Sequence, residues 1–178
     1  NAHDRGELET WPLLIVRHAK AKPRSSWTKA EGDRPLAATG MRQAQAVGRL
    51  LQAWKPARIV SSPWLRCVAT IAPYAKAADA KVKLNEALTE HRHGRSPHKT
   101  AAVVEALFDK QRAVAVCTHR PALPTVLKQL SKHMNSRLRD LLPSSDPFLA
   151  PGEIVVCHVA RGSKNKVVAV ERFKPFDD

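Results

Sequence analysis

Short apolar runs alternate with longer amphipathic stretches along this chain, and that alternation leaves few folds open to it. Leu13-Leu-Ile-Val16 is continuously apolar, the pattern of a strand buried on both faces of a parallel sheet. Met41, Ala44, Val47, Leu50, Leu51 and Trp54 then recur at helical spacing, with Thr39 as the expected cap and Pro56 as the stop. Ala57-Arg-Ile-Val60 reads as a second strand. Ser62-Pro63 offers a cap and a first-turn proline ahead of Leu65, Val68, Ala69, Ile71, Ala72 and Ala75. Lys81–Leu84 is a candidate third strand, and Ser96-Pro97 opens a helix running to about Phe108. Arg112–Cys117 is a fourth strand, from which His119-Arg-Pro121 leads into a helix carrying Leu123, Val126, Leu127 and Leu130. Ile154–Val159 and Val167–Phe173 alternate as a closing antiparallel pair joined at Arg161-Gly-Ser-Lys164. Strands that alternate with helices predict an α/β three-layer sandwich around a mostly parallel central sheet, with antiparallel strands at the C-terminus.

At 178 residues and 43% hydrophobic, the chain is the size of one domain with a real core. No apolar run approaches the roughly 20 residues that span a bilayer. The polar stretch Asn1–Glu9 does not resemble a secretory signal, and with an Asn at position 1 the chain reads as a piece of something longer. Residues 1–12 are expected to be a linker or N-terminal extension, and 13–175 the folded domain. Cys67, Cys117 and Cys157 are odd in number, unpaired in spacing and set among apolar residues. They read as buried free thiols in a reducing, cytoplasmic setting.

Lys and Arg total 30 against 16 acids, a formal charge of +14 that favours an anionic partner. Nucleic acid is not the expected one, because at 5% aromatic residues the chain is poor in stacking platforms. In an open α/β sheet a ligand sits beyond the carboxyl ends of the strands. Arg17 and His18 follow the first predicted strand, Arg66 lies in the first helical turn after the second, and Thr118 and His119 follow the fourth. Two arginines and two histidines thus converge on one rim. That set suits phosphoryl transfer: arginine clamps phosphate, neutral imidazole attacks phosphorus, and a second histidine donates to the oxygens. No carboxylate cluster for magnesium is evident, so no metal or other cofactor is expected.

Leu14-Ile-Val-Arg-His18 followed by Ala19 resembles the Arg-His-Gly signature of the histidine phosphatase (phosphoglycerate mutase-like) superfamily, with Ala in the place of Gly as in its short bacterial branch. Arg34-Pro-Leu36 with Gly40 and Gln43-Ala44, Ser61-Ser-Pro with Arg66 and Thr70, and Cys117-Thr-His119 resemble three further segments of that family, in order, from Leu13 to about Leu130. The resemblance implies a phosphoglycerate mutase-like fold, His18 as nucleophile, Arg17 and Arg66 as phosphate ligands and His119 as the group completing the pocket. Leu88-Thr-Glu90 matches the segment that carries the family's proton donor, which implies Glu90 for that role. Arg34 either reaches the phosphate or pairs with Asp33 at the surface. The Arg-His-Ala and Arg-Pro-Leu signatures also resemble the C-terminal phosphatase half of MutT-like Nudix proteins. An N-terminal Nudix domain in a parent chain and a phosphorylated small molecule, a nucleotide in particular, are therefore the expected partners, with no membrane.

Other features carry weaker readings. His91, His93 and His98 lack the companions of a tetrahedral metal site and read as a polar loop beside the pocket. Lys20, Lys22, Arg24 and Lys29 are either a solvated charge run or a lid for additional phosphates. Trp27 and Trp64 are either rim packing or a platform for a base. Two other functions compete with a nucleotide phosphatase. One is a phosphohistidine-protein phosphatase, a branch that often lacks the acid. The other is an inactive phosphate- or nucleic-acid-binding module.

Overall fold

A computed structural model describes residues 3–4, 9–162 and 164–177. Six strands form one sheet in the order β3-β2-β4-β1-β5-β6. β1 (Thr10–Arg17), β2 (Arg58–Ser61), β3 (Lys81–Leu84) and β4 (Val114–Thr118) run parallel, and β5 (Ile154–Ala160) and β6 (Val167–Phe173) close the sheet antiparallel. The α/β sandwich read from the sequence is the fold observed.

The alternation along the central strands builds two cores. Leu13, Ile15, Val114, Val116, Val155 and Cys157 face one side, against α4 (Pro97–Ala106) and α5 (Leu123–Ser131). Leu14, Val16, Ala115, Cys117, Ile154 and Val156 face the other, against α1 (Ala38–Leu51) and α2 (Leu65–Ala78). Each buried Val or Leu contributes roughly 1.5–3 kcal/mol relative to exposure, so both faces hold the sheet strongly. β3 is the exposed edge, and Lys81 and Lys83 on it discourage pairing with another chain. β1 starts at Thr10, so residues 10–12 belong to the sheet and not to the expected linker: Trp11 lies in the core opposite Phe108, and Thr10–Pro12 pair with β5.

Several boundaries differ from the sequence reading for local reasons. α1 begins at Ala38, so Thr39 lies inside the first turn, where its hydroxyl accepts from Arg42 instead of capping. Ser62-Pro63 does not start α2. The Ser62 hydroxyl is engaged by His119 Nε2 at 2.8 Å, and the helix begins after Trp64. The segment read as a polar loop contains a short helix, α3 (Glu90–Arg95), capped by Thr89 accepting from the Arg92 N–H at 3.0 Å. A further short helix, α6 (Ser136–Arg139), follows α5. Residues 19–37 remain a loop, stiffened by single 3-10 turns at Arg24–Ser26 and Glu31–Asp33 and an isolated bridge between Ala21 and Leu36.

The start of α1 locks this loop to the end of β1. The Lys20 carbonyl accepts from the Ala37 N–H at 2.9 Å, and Gly40 packs so tightly there that an added Cβ would sit 1.9 Å from the same oxygen. Gly40→Ala must therefore displace backbone. The expected outcome is a loss of about 3 kcal/mol, read from the urea midpoint. An unchanged midpoint would show that the loop beyond His18 yields freely.

Candidate active site

Strand ends deliver the site. β1 ends at Arg17, so His18 is the first residue past it. Its N–H bonds the Thr118 carbonyl of β4 at 3.1 Å, tying the two strand ends together. Ala19 is held by its N–H to Thr70 Oγ1 of α2 at 2.8 Å. His18 Nδ1 lies 2.7 Å from the Ala19 carbonyl. A carbonyl only accepts, so Nδ1 carries the proton and Nε2 presents its lone pair. Arg66 Nε donates to that lone pair at 3.3 Å.

Arg66 is fully buried, and every part of its guanidinium is engaged: Nη1 donates to the Glu31 carbonyl at 2.9 Å, and Nη2 to Glu90 Oε1 at 3.0 Å and Glu31 Oε1 at 3.2 Å. His119 is likewise buried. Its ring centroid lies 5.1 Å from that of His18, its Nδ1 lies 3.5 Å from Glu90 Oε1, and its Nε2 meets Ser62 Oγ. Trp64 stands edge-on to His119 at 5.0 Å and beneath the Arg66 guanidinium at 4.8 Å, so it packs the back of the site.

In front of these groups opens a cavity of about 280 Å³ lined by Arg17, His18, Lys20, Lys22, Arg24, Arg34, Glu90 and Arg120, among others. Arg17 lines it while donating to the Leu149 carbonyl at 2.6 Å. Arg34 also lines it. Its ion-pair partner is Glu31, at 2.7 Å, and not Asp33. Among the basic loop residues Lys20, Lys22 and Arg24 reach the cavity, whereas Lys29 stands 6.0 Å over the Trp27 ring. His93 bonds Thr125 Oγ1 at 2.7 Å, and His91, His93 and His98 do not form a shared ligand group among the described residues.

Sequence reasoning missed two residues here. Glu31, in a turn of the loop, holds Arg24, Arg34 and Arg66. Arg34 is its local i,i+3 partner, but Arg24, seven residues back in the same loop, and Arg66 of α2 meet it only in the fold. Arg120 follows His119 at the same strand end, so the strand-end rule could have found it. It lines the cavity and pairs with Asp146 at 2.9 Å.

Burial pushes His18 down to about 3, with Arg66, Arg17 and Arg34 adding to it against the bond to Ala19. Burial lowers His119 further, with His18 and Arg66 adding. Both imidazoles are therefore neutral near pH 7. Ligand atoms of His18, Glu90 and His119 lie within 4.8 Å of one another, close enough to share a cation. Arg66 already bridges two of the three, so a metal ion there would face a buried guanidinium.

Residues 13–109 match the Histidine phosphatase superfamily (branch 1). The chain belongs to the histidine phosphatase superfamily. Members and neighbours of that superfamily include phosphatase hydrolases. The chain is 27% identical over 122 residues, 68% of its length, to an 8-oxo-(d)GTP phosphatase of Mycolicibacterium smegmatis, and spans 38% of that relative. Among solved structures it is similar to the protein histidine phosphatase SixA complexed with tungstate (TM-score 0.68, 18% identity, 92% of this chain and 97% of that one). A protein assigned as phosphohistidine phosphatase SixA from Nakamurella multipartitia gives a TM-score of 0.66 at 26% identity, covering 93% and 97%. The mycobacterial glucosyl-3-phosphoglycerate phosphatase gives 0.63 at 15% identity, covering 92% and 97%. Among the described residues of this histidine phosphatase, no helix is long and apolar enough to cross a membrane.

The buried neutral histidines fix how stability responds to acid. An unfolded histidine takes its proton near 6.5, whereas folded His18 stays neutral down to about 3. Between those values the unfolded chain binds the extra proton, so stability falls as pH falls from 6.5, and the loss is complete near 3. His119 acts in the same direction. In denaturant titrations from pH 7 to 5, where carboxylates stay largely ionised, His119→Gln is expected to lose stability less steeply than the wild type. Identical slopes would mean that folded His119 takes up its proton as readily as it does in the unfolded chain.

Proposed function

We propose that this chain is a metal-independent phosphatase that carries the phosphoryl group on His18 and acts on a small phosphoester, a nucleotide in particular. The observation that carries the reading is His18 itself: Nδ1 is locked on the Ala19 carbonyl, and Nε2 opens to Arg66 beside Glu90. Phosphate oxygens would be held by Arg17, Arg66 and Arg34, and by the N–H of His119. His18 Nε2 attacks phosphorus as the bond to the leaving oxygen breaks, and Glu90, entering the step in its protonated form, gives that oxygen its proton. Glu90 then takes a proton from water, whose oxygen attacks the phosphohistidine. Inorganic phosphate leaves and His18 returns to its starting state.

Lys20, Lys22, Arg24 and Arg120 provide more positive charge around the cavity than one phosphate needs, which supports a substrate with several phosphates. The similarity to an 8-oxo-(d)GTP phosphatase supports a nucleotide. A folded domain that takes in Thr10–Pro12 of β1 together with 13–175, a Nudix partner in a parent chain and a cytoplasmic setting belong to the same proposal. A second reading, a phosphohistidine-protein phosphatase, is supported by the 26% identity to a SixA structure over nearly all of both chains. Because the fold also serves a glucosyl-3-phosphoglycerate phosphatase, fold alone does not choose.

Turnover measured across nucleotides, sugar phosphates and phosphohistidine protein separates the two readings. Activity is expected to persist in chelator. His18→Ala is expected to lower turnover by on the order of 10⁴ or more while remaining folded. Glu90→Gln is expected to slow an alkyl phosphate or nucleotide by about 10²–10⁴ and to spare a nitrophenyl phosphate, whose leaving group needs no proton. Small, equal losses on both would remove Glu90 as the acid and favour the phosphohistidine-protein substrate. Activity lost in chelator and restored by a metal would overturn the metal-free mechanism.

A further inference from the structure

One carboxylate oxygen gathers the arginines of the site. Glu31 Oε1 accepts from Arg34 Nη2 at 2.7 Å, Arg34 Nε at 3.0 Å, Arg24 Nε at 3.1 Å and Arg66 Nη2 at 3.2 Å. The Glu31 main-chain carbonyl takes a fifth bond, from Arg66 Nη1 at 2.9 Å. These cations come from the loop after His18, from the end of that loop and from the first turn of α2. Three guanidinium groups this close repel one another, and Arg66 and Arg34 are both nearly or fully buried. Without a shared anion they would splay, and Arg66 would lose its aim at His18 Nε2.

The turn that presents Glu31 is itself wedged in place. An added Cβ on Gly32 would lie 3.1 Å from the Trp64 indole, and that indole also lies beneath Arg66 and edge-on to His119. Glu31 is ionised: burial raises its proton affinity, but hydrogen bonds from Arg34 and Arg24 outweigh this and leave it below the usual carboxylate range. Glu90 shares Arg66 and Arg24, but not Arg34.

We propose that Glu31 is the positioning residue of the phosphate site, assembling Arg34 and Arg66 beside His18 before substrate arrives. This rests on the cavity being the phosphate site. Glu31 touches neither the phosphoryl group nor the leaving group; it acts through the two arginines.

The direction of one measurement separates this role from its rivals. Calorimetry with inorganic phosphate reads the site without turnover. Glu31→Gln is expected to weaken phosphate binding by about tenfold or more. It should also lower kcat/KM for nitrophenyl phosphate by on the order of 10²-fold, with kcat falling as well as KM rising. Tighter phosphate binding would make Glu31 a competitor for the arginines and overturn the proposal. Unchanged binding would make it a surface ion pair and also overturn it. In an Arg34→Ala background the effect of Glu31→Gln should shrink; an undiminished effect contradicts action through that arginine. If Glu31→Gln does not fold, Glu31→Asp keeps the charge but withdraws it, and wild-type phosphate affinity in that variant overturns the proposal. If phosphate fails to compete with nitrophenyl phosphate in the wild type, the site reading and this proposal fall together. Phosphate binding weakened by Glu31→Gln, alongside turnover that survives His18→Ala, rejects the nucleophile and keeps Glu31.

Discussion

Arg66 is a cation with no access to water, and the rest of the site depends on how its charge is met. A lone buried guanidinium is untenable, and removing one partner from such a cluster typically costs about 3–5 kcal/mol. Here the charge is met from three sides. Glu31 and Glu90 supply carboxylate oxygens, His18 Nε2 accepts from Nε, and Trp64 lies beneath the plane. Because Arg66 lies in the first turn of α2, this network ties the helix layer to the ends of β1 and β4. The same bonds that satisfy Arg66 aim the His18 lone pair.

The neutrality of the two histidines follows from the same burial. Cations on one side and apolar packing on the other disfavour an imidazolium at either position. In the proposed mechanism a neutral His18 can act as the nucleophile, and a neutral His119 beside Glu90 can donate without adding charge. The surplus of basic residues around the mouth extends this field outward, which matches the excess of 30 Lys and Arg over 16 acids.

Most of the sheet was legible in the sequence because its strands are short apolar runs bounded by turn residues. The residues at strand ends could be placed for the same reason: Arg17, His18, Arg66 and His119 follow directly from which strands run parallel. What escaped depends on contacts distant in the chain. Thr39 and Ser62 looked like caps, yet the Ser62 hydroxyl is taken by His119, 57 residues away. The histidine-rich stretch from Glu90 has no apolar period, so its short helix depends on the Thr89 cap and went unseen. Glu31 was missed because lone loop carboxylates are common: Arg34, three residues on, is a local partner, but Arg24 and Arg66 join it only after folding. Arg34 left two options open in the sequence. The fold turns it into the cavity, with Glu31 as its partner.

The account turns on a phosphoryl group resting on His18. The direct measurement is rapid quenching of the enzyme with a labelled phosphate substrate, followed by peptide mapping under alkaline conditions that preserve phosphohistidine. The expected result is a phosphoryl group on the peptide containing His18, stable to base and lost in acid, which disappears when unlabelled substrate is chased in. A label on another residue would contradict the account. So would turnover with no enzyme-bound phosphate at any quench time.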